Sequence, residues 1–241
     1  MSQFTVDKKY TALYDSVDPD KQKWSIWRKL GAEEKAKNII DLCSDDPHEN
    51  ILEIGCGDGA ILNELSEKNF GENLYGLEIS KAFVDSVNGK NIKNLKACSL
   101  YDGYTIPYED NMFDLVILSH IVEHLEYPRR LINEAKRVGR MIVIEVPLED
   151  TLRLKKNFIS NPVGHINIYT LQSLRVLLES CDLKIKSSKI TNPSLKIYKY
   201  IKGFRGVIKY FIREVVLLLT GKFATHLFTY HYIVLCKKSS K

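Results

Sequence analysis

The sequence is poor in several features that define specialised protein classes. Its 241 residues include only 13 Gly and 7 Pro, too few for a collagen-like or linker-dominated chain. It has no uninterrupted apolar run of about 18 residues, which excludes a conventional membrane-spanning helix. The first nine residues, MSQFTVDKK, lack the apolar core of a secretory signal. We therefore expect a globular protein of the cytoplasm.

Cysteine is scarce and scattered. The five cysteines are odd in number, and no two of them form a C-x-x-C pair. This pattern predicts neither a disulfide framework nor a zinc cluster, and it suits a reducing compartment. No grouping of Asp and His has the spacing of metal ligands either, so we expect no bound metal.

Acidic residues are rare near the C-terminus. Residues 151–241 contain 17 Lys and Arg but 3 Asp and Glu, whereas residues 1–150 contain 18 and 27. The net charge of +5 therefore hides an acidic region followed by a strongly basic one. A basic region of this kind favours an anionic partner near the C-terminal third.

Short apolar runs alternate with helical patterns through the middle of the chain. This alternation predicts βαβ units and a parallel sheet, which together form a doubly wound, three-layer α/β sandwich. The predicted strands are 50–54, 73–77, 93–98, 113–118 and 140–146, and the predicted helices are 32–43, 60–68, 81–87 and 128–138.

The end of the chain breaks this rhythm. Residues 170–180 have the spacing of another helix, and residues 183–190 and 228–236 are β-rich. Two such runs after a parallel sheet predict an antiparallel final hairpin, and about forty residues are inserted in its connection.

The strongest local signal is the segment ILEIGCGDGAIL at residues 51–62. Its glycines let the backbone turn sharply and approach a ligand, and the helix that follows offers unpaired N–H groups. Glu78 ends the next strand, where a carboxylate can bind a ribose diol. Two classes of ligand remain possible for this loop. Gly55, Gly57 and Ala60 satisfy the dinucleotide pattern of a nicotinamide cofactor, and a mononucleoside with a charged amino-acid tail fits equally well.

A second segment carries a family resemblance. Residues 98–125 read CSLYDGYTIPYEDNMFDLVILSHIVEHL. Together with the glycine loop, this segment resembles the class I S-adenosylmethionine-dependent methyltransferases, in particular their small-molecule branch of types 11 and 12. The matching positions are Asp102, IPY at 106–108, NMFD at 111–114 and EHL at 123–125, with Tyr108 standing where the family usually has Phe. The resemblance covers about residues 50–190.

The resemblance implies a Rossmann-like αβα sandwich with seven strands in the order 3-2-1-4-5-7-6, the seventh antiparallel. It also implies S-adenosylmethionine as the cofactor. Gly55 and Gly57 would lie near its methionine part, Glu78 at the ribose and Asp102 at the adenine amino group. The expected cofactor-binding residues are Glu53, Gly55, Cys56, Gly57, Glu78, Ile79, Leu100, Tyr101, Asp102, Ser119 and His120.

Two histidines are candidates for the catalytic step. His120 follows Ser119 at the mouth of the expected site, and His165 lies in a loop where relatives often place a histidine over the acceptor. Either ring is suited to act as a general base near neutral pH. The alternative for His165 is a loop residue that caps the helix after it. His124, in the EHL element, is expected to be structural and to bind a backbone group at the helix start.

An aromatic N-terminal segment is expected to form a lid over the cofactor or the acceptor. The alternative is an aromatic patch that holds the N-terminal helix on the sheet. The candidate lid and substrate residues are Tyr10, Tyr14, Trp27, Arg28 and Tyr169.

The inserted segment is basic and amphipathic. Its apolar residues recur at helical spacing over 195–219, with Lys and Arg on the opposite face, and Gly203 and Gly206 weaken the helix. Three interpretations remain open: a lid helix packed on the pocket, a membrane-surface helix that reaches a lipid substrate, or a site for an anionic substrate. The predicted apolar face is Ile197, Ile201, Phe204, Ile208, Phe211 and Val215, and the basic face is Lys199, Lys202, Arg205, Lys209 and Arg213.

These observations predict a methyltransferase that modifies an O or N atom of a small, anionic or lipid-linked metabolite. The alternatives are an NAD(P)-dependent oxidoreductase and a catalytically inactive, cofactor-binding partner of another enzyme. Nucleic acid is not expected as a partner, because no motif of base methylation and no RNA-binding module is present. We expect a helical lid at 1–45, the cofactor-binding core at 46–190, the insertion at 191–225, and the final strand and tail at 226–241.

Overall fold

The computed structural model describes residues 22–152 and 164–239, and its seven strands form a single sheet. The strands are β1 (Asn50–Ile54), β2 (Asn73–Glu78), β3 (Leu95–Leu100), β4 (Phe113–Ser119), β5 (Gly139–Leu148), β6 (Leu183–Thr191) and β7 (Tyr230–Lys238). The helices are α1 (Gln22–Cys43), α2 (Ala60–Glu67), α3 (Lys81–Gly89), α4 (Pro128–Val138), α5 (Leu171–Glu179), α6 (Leu195–Thr220) and α7 (Ala224–Leu227). Short 3₁₀ turns lie at Val122–His124 and Gly221–Phe223.

The strand order confirms the predicted topology. It runs β3-β2-β1-β4-β5-β7-β6, with β1 to β5 parallel and β7 antiparallel to both of its neighbours. The parallel strands all end at one edge of the sheet, where ligands bind in folds of this type. Because β7 runs the other way, its first residues also lie at that edge, opposite Leu148 at the end of β5.

The core consists of two apolar layers, one on each face of the sheet. All seven residues of β4 are buried, and its side chains alternate between the layers. Val116 and Leu118 pack with α4 and α5, whereas Leu115 and Ile117 pack with α1, α2 and α3. Each fully buried aliphatic side chain of this kind contributes about 1.5–3 kcal/mol. These two layers hold the strand ends, and therefore the site, in fixed positions.

Three predicted elements begin at least two residues away from the predicted start, the last of them β7, which begins at Tyr230 rather than at residue 228. The third strand begins at Leu95 rather than at residue 93, because the side chain of Asn94 donates to Gly71 O and the backbone there turns. The first helix begins ten residues earlier than predicted, at Gln22. Its first turns lack an apolar stripe, since Ile26 and Trp27 are exposed.

Helix α6 lies in the connection between β6 and β7 and bends at Gly203 (φ 55°, ψ −137°). Most of the predicted apolar face points outward, since Ile201, Phe204 and Ile208 are exposed. Ile197, which precedes the bend, is instead half-buried beside Gly31 of α1. Arg213, which the spacing places on the face opposite the apolar residues, is buried. No helix in the described ranges is both long enough and apolar enough to cross a membrane.

Candidate cofactor and acceptor site

The glycine loop follows β1 and has a backbone conformation that residues with a side chain rarely adopt. Gly55, Gly57 and Gly59 have φ values of 68°, 54° and 72°, all in the left-handed region. A Cβ atom on Gly55 would lie 2.2 Å from the Ile121 side chain, so this position also needs glycine for space. The amide of Gly55 donates to Leu77 O at 2.7 Å, which closes the loop against β2.

Glu78 fixes this loop from the end of β2. Its buried carboxylate accepts hydrogen bonds from Gly57 N at 2.8 Å, Ile79 N at 2.7 Å and Ser80 N at 3.1 Å. One side chain therefore joins the glycine loop to the start of α3. Glu78, Gly57 and Ile79, which the sequence predicts to bind the cofactor, thus form one connected unit.

Glu53 lies in β1 just before the loop, and its carboxyl group is buried. Burial raises the pKa of Glu53 well above its usual value. Its Oε2 atom has no hydrogen-bond partner within the part of the chain that the structure describes. A buried polar atom without a partner is costly unless a ligand satisfies it. The thiols of Cys56 and Cys98 lie beside it, with their Sγ atoms 3.6 Å apart.

The residues predicted to bind adenine follow β3. Leu100 is 51% exposed, and the amide of Tyr101 donates to Glu78 O at 3.1 Å. The carboxylate of Asp102 accepts hydrogen bonds from the amides of Tyr104 and Thr105 at 2.8 and 2.6 Å. Partial burial raises the Asp102 pKa, but these bonds outweigh it and the pKa falls. Asp102 therefore stabilises its own loop, and its role as an adenine ligand stays a prediction.

Arg28 connects α1 to the glycine loop. Its Nε atom lies 2.8 Å from Asp58 Oδ2, and its guanidinium group lies over the ring of Phe83. Trp27 is exposed beside it. Tyr10 and Tyr14 fall outside the described residues, so the lid interpretation stays a prediction.

A polar cluster occupies the same edge of the sheet, at the ends of β4 and β5 and the start of β7. The hydroxyl of Ser119 donates to Glu145 Oε2 at 2.7 Å. His120 Nε2 lies 3.9 Å from that oxygen, and His231 Nδ1 lies 3.4 Å from Glu145 Oε1. His120 has a φ of 58°, an uncommon backbone conformation for a residue with a side chain. Strain of this kind is concentrated at functional sites.

The charges in this cluster act on one another. Burial alone would raise the Glu145 pKa, but the positive charge of Lys35 and the hydrogen bond from His231 lower it far below its usual range. Burial and the charge of Lys35 lower the pKa of His120, which is therefore neutral at pH 7. Lys35 lies on α1, so the first helix contributes to the electrostatics of this site.

His165 pairs with a different carboxylate. Its Nδ1 atom lies 2.6 Å from Glu149 Oε2, and its ring packs edge-on against that of His124. Burial lowers the His165 pKa, but the Glu149 carboxylate outweighs it and the pKa rises. The alternative that His165 caps the next helix is wrong, because the side chain of Thr170 caps α5.

Glu123 connects the two predicted catalytic histidines. Its Oε1 atom lies 3.0 Å from His120 Nδ1, and its carbonyl oxygen accepts hydrogen bonds from the amides of Ile166 and Asn167 in the His165 loop. His124 Nδ1 donates to Gly164 O at 3.1 Å, which supports the expected structural role with a different backbone partner.

Tyr169, the remaining candidate substrate residue, is buried, and its hydroxyl donates to Val122 O at 3.4 Å. Its contact with a substrate stays a prediction.

Among the residues that the structure describes, two groups of three side chains have the proximity of metal ligands. Within each group the candidate ligand atoms lie within 4.8 Å of one another. The expectation of no metal was based on spacing along the chain, whereas these groups come from distant segments, so that expectation stays a prediction. The groups are His120, Glu145 and His231, and Glu123, His124 and His165.

Sequence reasoning missed several residues of this cluster. Glu145 left a signal, since it is the one acidic residue in the otherwise apolar run of β5. Lys35 and His231 left none, because only the packing of α1 and the register of β7 bring them here. The missed residues are Lys35, Glu123, Glu145, Glu149 and His231.

Comparisons with known proteins agree with this geometry. Residues 52–141 match a family model described as a methyltransferase domain. The chain is 31% identical to ajmaline N-methyltransferase of Rauvolfia serpentina over 110 residues, which are 42% of this chain and 38% of that protein. The matches span less than half the length of the first curated relatives.

Solved structures share the whole fold. A SAM-dependent methyltransferase from Aquifex aeolicus is 16% identical, with a TM-score of 0.56 over 92% of this chain and 98% of its own. The cyclase SpnF is 15% identical, with a TM-score of 0.64 over 87% of this chain and 81% of its own. Since a cyclase has this fold too, the fold does not by itself determine the reaction.

Proposed function

The chain carries a class I S-adenosylmethionine-dependent methyltransferase domain, and from that premise we propose that it transfers a methyl group to a small molecule. The observation that carries the proposal is the unit formed by the glycine loop and Glu78 at the edge of the sheet. A hydroxyl or amine of a small metabolite is the proposed acceptor. An anionic or lipid-linked acceptor agrees with the basic composition of residues 151–241.

The residues present fit the cofactor. Left-handed glycines permit close approach of the backbone, and Glu53 offers a buried polar atom without a protein partner among the described residues. Glu78 would hold the ribose, and Arg28 and Lys35 supply positive charge near the loop. When bound, S-adenosylmethionine supplies a methyl group already activated on a sulfonium. The protein's own tasks are then to align the acceptor, exclude water and accept a proton, and alignment alone can supply about 7–11 kcal/mol.

His165 is the proposed general base. With Nδ1–H donating to Glu149, the neutral ring carries its lone pair on Nε2, the atom that would take a proton from the acceptor. Glu149 orients the ring and stabilises the imidazolium that forms. His120 stays neutral at pH 7 because it is buried, and it is the second candidate.

Calorimetry with S-adenosylhomocysteine tests the cofactor assignment. We expect binding by the native protein and at least about five-fold weaker binding by Glu78→Ala, equivalent to about 1 kcal/mol. If the alanine variant fails to fold, Glu78→Gln replaces it in the same measurement, because glutamine keeps one oxygen as a hydrogen-bond acceptor. The matched control is Glu72→Ala, which removes an exposed carboxylate after α2. Binding of NADH in place of S-adenosylhomocysteine would overturn the assignment and favour an oxidoreductase.

The general-base assignment predicts how His165 titrates. We expect NMR to show a pKa above 6.5 for His165 and below 6.5 for His120. Glu149→Gln removes the charge that raises the His165 pKa, so that pKa should fall while that of His120 stays. Any activity that depends on neutral His165 should then extend to lower pH in this variant. A His165 pKa unaffected by Glu149→Gln contradicts the assignment.

A further inference from the structure

The outward side of α6 is covered with large apolar side chains. Phe204, Leu218 and Leu219 are 78%, 84% and 76% exposed, although side chains of this type are ordinarily buried. The exposed apolar residues from Phe204 to Phe223 recur at spacings of one, three and four, so they form one stripe along the helix. We call this stripe, with the adjoining Phe223, the α6 outer face. It consists of Ile201, Phe204, Ile208, Phe211, Ile212, Val215, Leu218, Leu219 and Phe223.

The opposite side of α6 is attached to the protein by a buried arginine. Arg213 Nε donates to Asn192 Oδ1 at 2.8 Å, and a second nitrogen donates to Thr229 O. The guanidinium group also lies over the rings of Tyr198, Phe228 and Tyr230, at 5.5, 5.3 and 4.7 Å. This anchor fixes how the helix is rotated about its axis.

The rotation reverses the usual arrangement of a surface helix. Gly206 and Arg213, the buried residues of α6, lie seven positions apart and therefore on one face. Ile208 and Val215 follow each of them by two positions, which places them on the opposite face, in solvent. The side that faces the protein carries the buried Arg213, and large apolar side chains face outward.

Basic residues lie near the two ends of this surface in sequence and next to Phe204 on the helix. Lys199, Lys202, Arg205 and Lys222 are exposed, and Glu214 is the one acidic residue between positions 195 and 223. An apolar stripe with Lys and Arg beside it is the pattern of helices that lie in the interface of an anionic membrane. Pairing with a second copy about a two-fold axis would instead place the same positive charges against each other.

We propose that the α6 outer face docks on an anionic lipid surface. The apolar stripe enters the boundary of headgroups and acyl chains, and the Lys and Arg near its ends contact the headgroup phosphates. The far end of α6 leads through α7 to His231 of the polar cluster, only eight positions after Phe223. Docking therefore holds the edge of the sheet that carries the site near the lipid. It does not depend on the proposed methyl transfer.

Flotation with lipid vesicles tests the proposal. We expect binding to vesicles of phosphatidylcholine mixed with phosphatidylglycerol, weakening as salt is added, and little binding to phosphatidylcholine alone. Val215→Asp should weaken binding about ten-fold or more. Val176→Asp on α5 is the matched control, because Val176 is 50% exposed and Val215 is 52% exposed. Equal binding by the two variants, or no binding by the native protein, would overturn the proposal.

Charge variants and self-association complete the test. Removal of Lys199 and Lys202 by alanine substitution should weaken binding to the anionic vesicles about five-fold per lysine. Sedimentation velocity tests whether a second copy of the chain covers the face instead. If the native protein is a dimer that Val215→Asp dissociates, and if it binds no vesicles, the face belongs to a second copy and lipid docking is refuted. Binding of S-adenosylhomocysteine, measured on the same samples, reports on the proposed function separately.

Discussion

At the residue scale, glycines determine how closely the segments of the cofactor site approach one another. Gly76 in β2 lies between two buried thiols, and a Cβ atom there would be 2.8 Å from Cys56 Sγ and 3.2 Å from Cys98 Sγ. Both thiols belong to the cofactor side of the sheet, one in the glycine loop and one in β3. The absence of a side chain at this position therefore lets the loop lie against β3.

Gly76→Ala should lower the free energy of unfolding by about 1–3 kcal/mol, because the added methyl group overpacks this site. Urea denaturation measures the loss. Gly89→Ala is the control, since nothing lies within 4 Å of the position that its Cβ atom would take. Equal stability of the two variants would show that the thiols move aside at no cost.

The glycine loop and the position of Glu78 at the end of β2 were predictable from sequence because they are local. Gly55, Gly57 and Glu78 follow two successive strands, and an apolar run that enters a glycine loop is visible in one stretch of chain. Lys35 and His231 were not predictable, since their proximity to Glu145 depends on where α1 packs and on the register between β5 and β7. The periodicity of apolar residues predicts neither where α1 packs nor the register between β5 and β7.

At the element scale, α6 shows what periodicity leaves undetermined. The spacing of its apolar residues predicted a face but not the direction in which that face points. The direction depends on Arg213, whose partners are Asn192 before the helix, Tyr198 in its first turn and Tyr230 after it. An amphipathic pattern would ordinarily place this arginine in solvent.

Arg213→Ala should destabilise the protein by about 2–4 kcal/mol, because it removes a desolvated cation–π contact together with charge-assisted hydrogen bonds. Arg205→Ala, an exposed position on the same helix, should change stability little. Thermal unfolding followed by circular dichroism compares the two variants. A small effect of Arg213→Ala would mean that other contacts hold α6 in place.

At the scale of the whole molecule, buried histidines couple stability to pH. Burial lowers the pKa of His120 and His124 below 6.5, so the unfolded chain binds more protons than the folded one below that pH. Stability from these two groups is therefore lost as pH falls. The raised pKa of His165 acts in the opposite direction, since its contribution is present at low pH and is lost as pH rises through the folded pKa.

We expect the contribution of His120 and His124 to the free energy of unfolding to decrease as pH falls below 6.5, because burial lowers the pKa of both rings. His120→Gln should flatten this dependence, whereas His226→Gln, at an exposed position, should preserve it. Urea denaturation at a series of pH values measures the slope. A steeper slope in His120→Gln would contradict the assigned direction of the His120 pKa.

The antiparallel hairpin that ends the sheet has a consequence for how such a protein diversifies. A crossover between parallel strands must span the sheet, but the connection from β6 to β7 only has to return to its starting edge. Its length and composition can therefore change while the register of the strands that carry the candidate site is preserved. Exchange of this one segment during evolution would change the surface by which the protein binds other structures in the cell and would leave the candidate site unchanged.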